Sequence, residues 1–244
     1  MIIAESIGFS ATHSISSILS GLPGYDVAHG SQNFRTKESL ALSRQTPAEF
    51  LAAMTESRQA GRTPVAVHTL FATQQMKPLC DIGEVNYWLI VRTPEKQIES
   101  CYAWIARKVL QGDGNSFLQV LNAGLQPLIA ANLPTSLPNL LYYFACNHVT
   151  AYNLTALGHG VPMRKMETLL SDEAAFREAF AVPADIAIPH FANKDVHMAS
   201  HSAKLEGTGL ADPDRAAIRD NYFCEIGGRR YSIADMEFLA GYAG

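Results

Sequence analysis

Three groups of residues have the types and spacing needed for chemistry. Ser10-Ala11-Thr12-His13-Ser14 follows an apolar run, Ile2–Ser6, and precedes Ile15, Ile18 and Leu19 at helical spacing. A strand feeding a small-residue loop that opens a helix can bind an anion. The first-turn N–H groups point at the ligand, and the helix end carries about half a positive charge. Ser10, Thr12 and Ser14 add hydroxyl donors; the same hydroxyls would also serve as ordinary N-caps that bind nothing. Arg92 ends a second run, Tyr87–Val91, and Ser100 follows eight positions later in the next helical pattern. A guanidinium fork and a hydroxyl so placed can converge on one phosphate. His68 and His29 end two further runs, Pro64–Val67 and Tyr25–Ala28. Imidazoles at the C-terminal edge of a sheet suit proton transfer near neutral pH, and a structural hydrogen bond is the alternative for each. His13, inside the first loop, is placed to donate to a transferring group.

Other chemistries are poorly served. The loop after Ile2–Ser6 has no second Gly and no Lys, so it is not the triphosphate-binding G-x-x-x-x-G-K-[ST]; G-x-G-x-x-G is also absent. His197 and His201 are i, i+4, with His190 nearby, but the flanks read as loop and no H-E-x-x-H completes the set. No metal is expected. Cys80, Cys101, Cys146 and Cys224 form no C-x-x-C pair, which predicts reduced thiols and a cytoplasmic protein. The formal charge of −4 argues against a nucleic-acid partner. The N-terminus lacks a basic region before its short apolar run, so no signal peptide is expected. Pro127, Pro134 and Pro138 interrupt the most apolar stretch, so no membrane span is expected.

The elements that position these groups follow from patterning. The chain has 244 residues, 48% hydrophobic and 17% charged, enough for a large core and consistent with a single domain over 1–244. Short apolar runs at Ile2–Ser6, Tyr25–Ala28, Pro64–His68, Tyr87–Val91 and Pro162–Met166 alternate with helical patterns. That alternation predicts an α/β fold with a parallel sheet flanked by helices. Helix starts are written at Thr46-Pro47-Ala48-Glu49, Thr93-Pro94-Glu95, Ser171-Asp172-Glu173, Asp212-Pro213-Asp214 and Ser232–Asp235. Residues 111–160 read as an inserted helical region. Most of its apolar stripe is expected in the core, with a share in shaping a substrate pocket.

The segment Arg92-Thr93-Pro94, with Ser100 and Tyr102, resembles the R-x-P-x-x-x-x-x-S-x-Y motif of the sulfotransferase family. That family uses 3′-phosphoadenosine 5′-phosphosulfate (PAPS) and has a P-loop-type nucleotide-binding fold. Ser10-Ala11-Thr12-His13-Ser14-Ile15 is similar, in register, to the family's 5′-phosphosulfate loop. Val65–Thr69 looks like its third strand, and Pro162–Asp172 like its later strand-E-x-L-x-x-D segment. The resemblance covers about residues 1–35, 62–110 and 160–180. It implies sulfuryl transfer to an alcohol or amine of a small-molecule or carbohydrate acceptor, without a metal. Donor contacts would come from Ser10, Ala11, Thr12, His13, Ser14, Arg92 and Ser100. Arg229 and Arg230, after Gly227-Gly228, would close on the 3′-phosphate or remain a solvated pair. His68, His29 and His13 are the catalytic candidates. The chain departs from the family at Phe9, where a Lys or Arg is expected. His13, Lys194 or Lys204 would then supply the cation, or the chain binds nucleotide without transfer. A small-molecule kinase is a weaker alternative.

Overall fold

The computed structural model describes residues 1–39, 45–192 and 213–242. In chain order the elements are β1 (Ile2–Glu5), α1 (Thr12–Ser20), β2 (Tyr25–His29), α2 (Pro47–Gln59), β3 (Thr63–Val67), α3 (Thr73–Ile82), β4 (Asn86–Val91), α4 (Pro94–Leu110), α5 (Gly114–Ala130), α6 (Leu137–Gly158), β5 (Met163–Lys165), α7 (Met166–Ser171), α8 (Glu173–Phe180), α9 (Pro189–Ala192), α10 (Arg215–Asn221), β6 (Cys224–Ile226), β7 (Arg229–Tyr231) and α11 (Ile233–Leu239). The described residues fall into two compact units: 1–92 with 156–192, and 93–155 with 213–242.

The first unit is an α/β body. Its five strands are all parallel, in the order β2-β3-β1-β4-β5. The three central strands, β3, β1 and β4, are short apolar runs because a parallel strand covered on both faces has no solvent side to mark with polar residues, whereas the edge strands β2 and β5 are partly exposed and carry Asp26, His29, Arg164 and Lys165. Ile2, Ala4, Val65, Val67, Trp88 and Ile90 share one face and pack in a cluster with Ile15 and Leu19 of α1, Met166 and Leu169 of α7, and Phe176 and Phe180 of α8. Their neighbours Ile3, Ala66, Tyr87 and Leu89 are also buried and lie on the opposite face by strand geometry. Fully burying each large side chain contributes about 1.5–3 kcal/mol. Packing of this kind, rather than local propensity, holds the short strands. Glu49 closes a capping box on Thr46 before Pro47 opens α2, and Asp172 accepts from the Ala174 and Ala175 N–H groups to start α8.

Register sets up the site. Ala4 pairs with Val67, and Glu5 pairs with Leu89. The C-terminal ends of β3, β1 and β4 therefore stand side by side. The chain leaves β1 for β2 and β3 on one flank and reaches β4 and β5 on the other. This reversal point is where open α/β sheets present a ligand crevice.

The second unit is mostly helical. Asn153 of α6 donates to Gln97 of α4 at 3.1 Å. Arg215 of α10 reaches Glu99 and lies over the Tyr102 and Tyr142 rings. Ser232 and Asp235 form a capping box on α11. Gly227 and Gly228, with φ of 59° and 76°, make the two-residue turn joining β6 to β7, a geometry that favours glycine. Among the described residues all four cysteines are buried and free, and no helix is long and apolar enough to cross a membrane.

Candidate functional site

Three loops of the first unit leave the sheet side by side: one after β1, one after β3, and the start of the segment after β4. The β1 loop is held by short-range bonds. Ser6 Oγ accepts from the Gly8 N–H at 3.0 Å, and Ser10 Oγ donates to the Gly8 carbonyl at 3.3 Å. The backbone turns through the left-handed region at Gly8 (φ 95°), Phe9 (φ 62°) and Ala11 (φ 53°). His68 (φ 59°) and Leu70 (φ 65°) do the same after β3. For non-glycine residues such conformations cost on the order of 1–3 kcal/mol and concentrate at functional sites.

The N-terminus of α1 separates the two roles that the sequence left open for its hydroxyls. The N-cap is Ala11, which has no side-chain acceptor, and no side chain caps the helix. Ser10 is turned back to Gly8, and the Thr12 hydroxyl lies 3.1 Å from His29 Nε2. The first-turn N–H groups thus keep their anion-binding capacity. His13 is exposed and Ser14 half-exposed on that turn.

Histidines from three elements gather beside this turn. His13 (α1) and His29 (end of β2) have ring centroids 4.1 Å apart, and His29 and His68 are 6.1 Å apart. Burial, then the charges of His13 and His68, lower the His29 pKa to about 4, so this ring is neutral at pH 7. His68 Nδ1 lies 2.5 Å from the Ser6 carbonyl oxygen. A carbonyl only accepts, so Nδ1 carries the proton and Nε2 of the neutral ring is a proton acceptor. The backbone of Gly8 lies beneath the ring: a Cβ on Gly8 would stand 3.7 Å from Nε2.

Arg92, at the end of β4, donates from Nη1 to the Phe9 carbonyl at 3.2 Å. A guanidinium therefore stands at the loop whose side chain at position 9 is apolar. The structure thus gathers Ser10, Ala11, Thr12, His13, Ser14, His29, His68 and Arg92 in one unit. Ser100 belongs to the second unit, where it is buried on α4. Arg229 and Arg230 belong to β7 there, and Arg230 stacks 3.2 Å from the Phe223 ring centroid. His190 Nε2 lies 3.1 Å from the Leu170 carbonyl, as a donor to it. His197, His201, Lys194, Lys204 and Asp212 lie outside the described residues.

One residue of the cluster escapes sequence reasoning. Glu5, the last residue of β1, is 1% exposed. Its carboxylate accepts from the Ser6 N–H at 3.0 Å and from the Thr69 N–H at 3.0 Å, and takes the Thr69 hydroxyl as well. It also lies 3.9 Å from His68 Nδ1. Burial raises its pKa, opposed by His68 and by the Thr69 and Ser6 donors. An acid closing an otherwise apolar buried strand is the sequence signal for it.

Chemically, the arrangement offers N–H donors for an anion, a guanidinium beside them, and an imidazole with its acceptor nitrogen defined. No protein-family model matches the chain, and no match was found among curated proteins.

Proposed function

We propose that this protein transfers a sulfuryl group from PAPS to an alcohol or amine. The observation that carries this reading is the α1 N-terminus, capped by Ala11 with no side-chain acceptor, beside an imidazole whose Nδ1 is occupied by the Ser6 carbonyl. The N–H groups of Thr12, His13 and Ser14 receive the 5′-phosphosulfate. His13 donates to the transferring group. His68 Nε2 takes the acceptor proton as the acceptor oxygen or nitrogen attacks sulfur in line and the sulfur–oxygen bond to the nucleotide phosphate breaks. The work is positioning and charge stabilisation, as in phosphoryl transfer. The 3′-phosphate contacts, Arg92 and Ser100, follow from their spacing and from the family resemblance; a role for Arg229 and Arg230 follows from the resemblance alone.

Phe9 favours a second reading, a nucleotide-binding homologue without transfer, because a loop cation is often the largest electrostatic contribution to such a reaction. Calorimetry with 3′-phosphoadenosine 5′-phosphate (PAP) and with ATP tests the shared basis. Preference for the 3′-phosphorylated ligand is expected; preference for ATP points to a small-molecule kinase and overturns both readings. Sulfated product from labelled donor, offered a panel of alcohols and amines, then separates enzyme from binder.

A further inference from the structure

We infer that Glu5 is the positioning residue for His68: beside the Ser6 carbonyl, which fixes Nδ1 protonated and Nε2 as acceptor, it places the charge that balances the imidazolium formed when Nε2 takes a proton. The role in turnover rests on His68 being the base. The pairing itself does not.

Glu5 is 1% exposed, so it cannot reach a substrate, and its effect must pass through a neighbour. Its donors are fixed groups: the Ser6 N–H, the Thr69 N–H and the Thr69 hydroxyl. Burial raises the Glu5 pKa, and all three donors, which act on an acceptor, work against that rise. The carboxylate lies 3.9 Å from the ring nitrogen that bonds Ser6. The other groups facing the pair add no second anion. Tyr87 of β4 and Cys80 of α3 lie near Glu5, and burial raises both their pKa values, that of Cys80 to about 12. His29 stands 6.1 Å from His68, with His13 beyond it, and Arg92 is held on Phe9. Among the described residues Glu5 is the carboxylate paired with His68.

A purely structural role, fastening Thr69 to β1, needs these acceptors but no positive partner beside them. An unpaired buried carboxylate costs several kcal/mol, and an apolar residue would continue the β1 run. The position of the charge at Nδ1 distinguishes the two roles. In the proposed step the acceptor proton moves to Nε2, its bonding pair goes to the new bond to sulfur, and the nucleotide phosphate leaves. Nδ1 keeps its proton on Ser6, and Glu5 stays ionised.

The test is ¹⁵N NMR of the His68 ring followed through a pH titration of the full-length, ligand-free protein, with signals assigned by loss in His68→Asn. The neutral ring of the wild type is expected to show the Nδ1–H tautomer alone. Glu5→Gln is expected to keep that tautomer, which the Ser6 carbonyl fixes, to titrate at a lower pH than the wild type and, in the sulfuryl-transfer assay, to lower kcat by about 10–100-fold with the donor KM unchanged. Thr69→Val removes one Glu5 donor, keeps the charge, and is expected to titrate as the wild type does. An Nε2–H ring in the wild type, a Glu5→Gln ring that titrates as in the wild type, or a Thr69→Val ring that titrates as in Glu5→Gln overturns the inference. Should Glu5→Gln fail to fold, Glu5→Asp, which draws the charge back from Nδ1, is expected to titrate at a lower pH than the wild type, and an unchanged titration overturns the inference. If PAP does not bind while the spectra behave as stated, the sulfuryl-transfer reading fails and the Glu5–His68 pair stands.

Discussion

His68 Nδ1 and the Ser6 carbonyl oxygen lie 2.5 Å apart, and this contact assigns the proton to Nδ1. A base must present a lone pair to its substrate, and Nε2 is left with that task. Replacing His68 with Ala is therefore expected to lower kcat by about 10²–10⁴-fold, the usual contribution of a placed base, while PAP affinity changes little. Single-turnover rates and calorimetry on the same variant check both halves. A wild-type rate removes His68 from the mechanism.

Arg92 provides a second test. Its Nη1 bonds the Phe9 carbonyl, which brings the guanidinium to the anion loop from the neighbouring strand. Hydrogen bonds to charged groups contribute about 1.5–3 kcal/mol each. Arg92→Ala is thus expected to weaken PAP at least about 10-fold and to remove most of the preference for PAP over adenosine 5′-phosphate. If titration shows both ligands binding Arg92→Ala as they bind the wild type, the phosphate assignment is wrong.

Much of this was legible in the sequence, for identifiable reasons. All five sheet strands fall within about one residue of the runs the sequence marks: the central three because a strand buried on both faces has no other way to be written, and β2 and β5, at the partly exposed edges, by their place in the alternation with helices. The caps at Thr46, Asp172 and Ser232 act as their spacing predicts, since capping is local chemistry. Helix α3 was not legible: Gln74, Gln75 and Lys77 dilute its apolar face, and Pro78 sits inside it. Gly227-Gly228 ahead of Arg229 and Arg230 reads in sequence as a basic loop, yet the pair turns a hairpin, and two flanking strands of three residues each leave little periodic signal. The Ala11 cap was hidden because Ser10 and Thr12, better capping types, flank it; their hydroxyls are drawn away by Gly8 and His29. Glu5 stands out in the sequence only as an acid closing an apolar strand; its partner Thr69 is 64 positions distant, so the pairing itself leaves no local signal.

His29 carries a pH prediction. Its pKa falls from 6.5 to about 4 on folding, so between those values the unfolded chain binds a proton that the folded protein refuses. Stability then rises with pH across that window. It is fully present above about pH 6.5 and is lost as the pH falls toward 4. The loss is on the order of 1–2 kcal/mol once solvent screening of this partly exposed ring is allowed for. Urea melts at pH 7 and pH 5 should show a smaller pH dependence for His29→Gln than for the wild type. Equal pH dependence would mean that the ring is not held neutral by its burial.

Phe9 offers a gain-of-function test of where the anion sits. The residue occupies left-handed backbone (φ 62°), where Lys and Phe, both unbranched at Cβ, bear a similar strain, so Phe9→Lys adds little backbone cost. Its carbonyl, the group that holds Arg92, is retained. The variant adds a flexible ammonium next to the N–H groups of Thr12 to Ser14, where the helix end already favours negative charge. One new charge-assisted bond would tighten PAP by about 10-fold or more. If the charge also meets the transferring sulfonate, kcat rises with it, since such groups act where charge develops. Isothermal titration at two salt concentrations reads the first effect, which should weaken as salt screens it. An unchanged or weaker affinity in Phe9→Lys would place the anion away from this loop, and the reading of α1 as its cradle would fall.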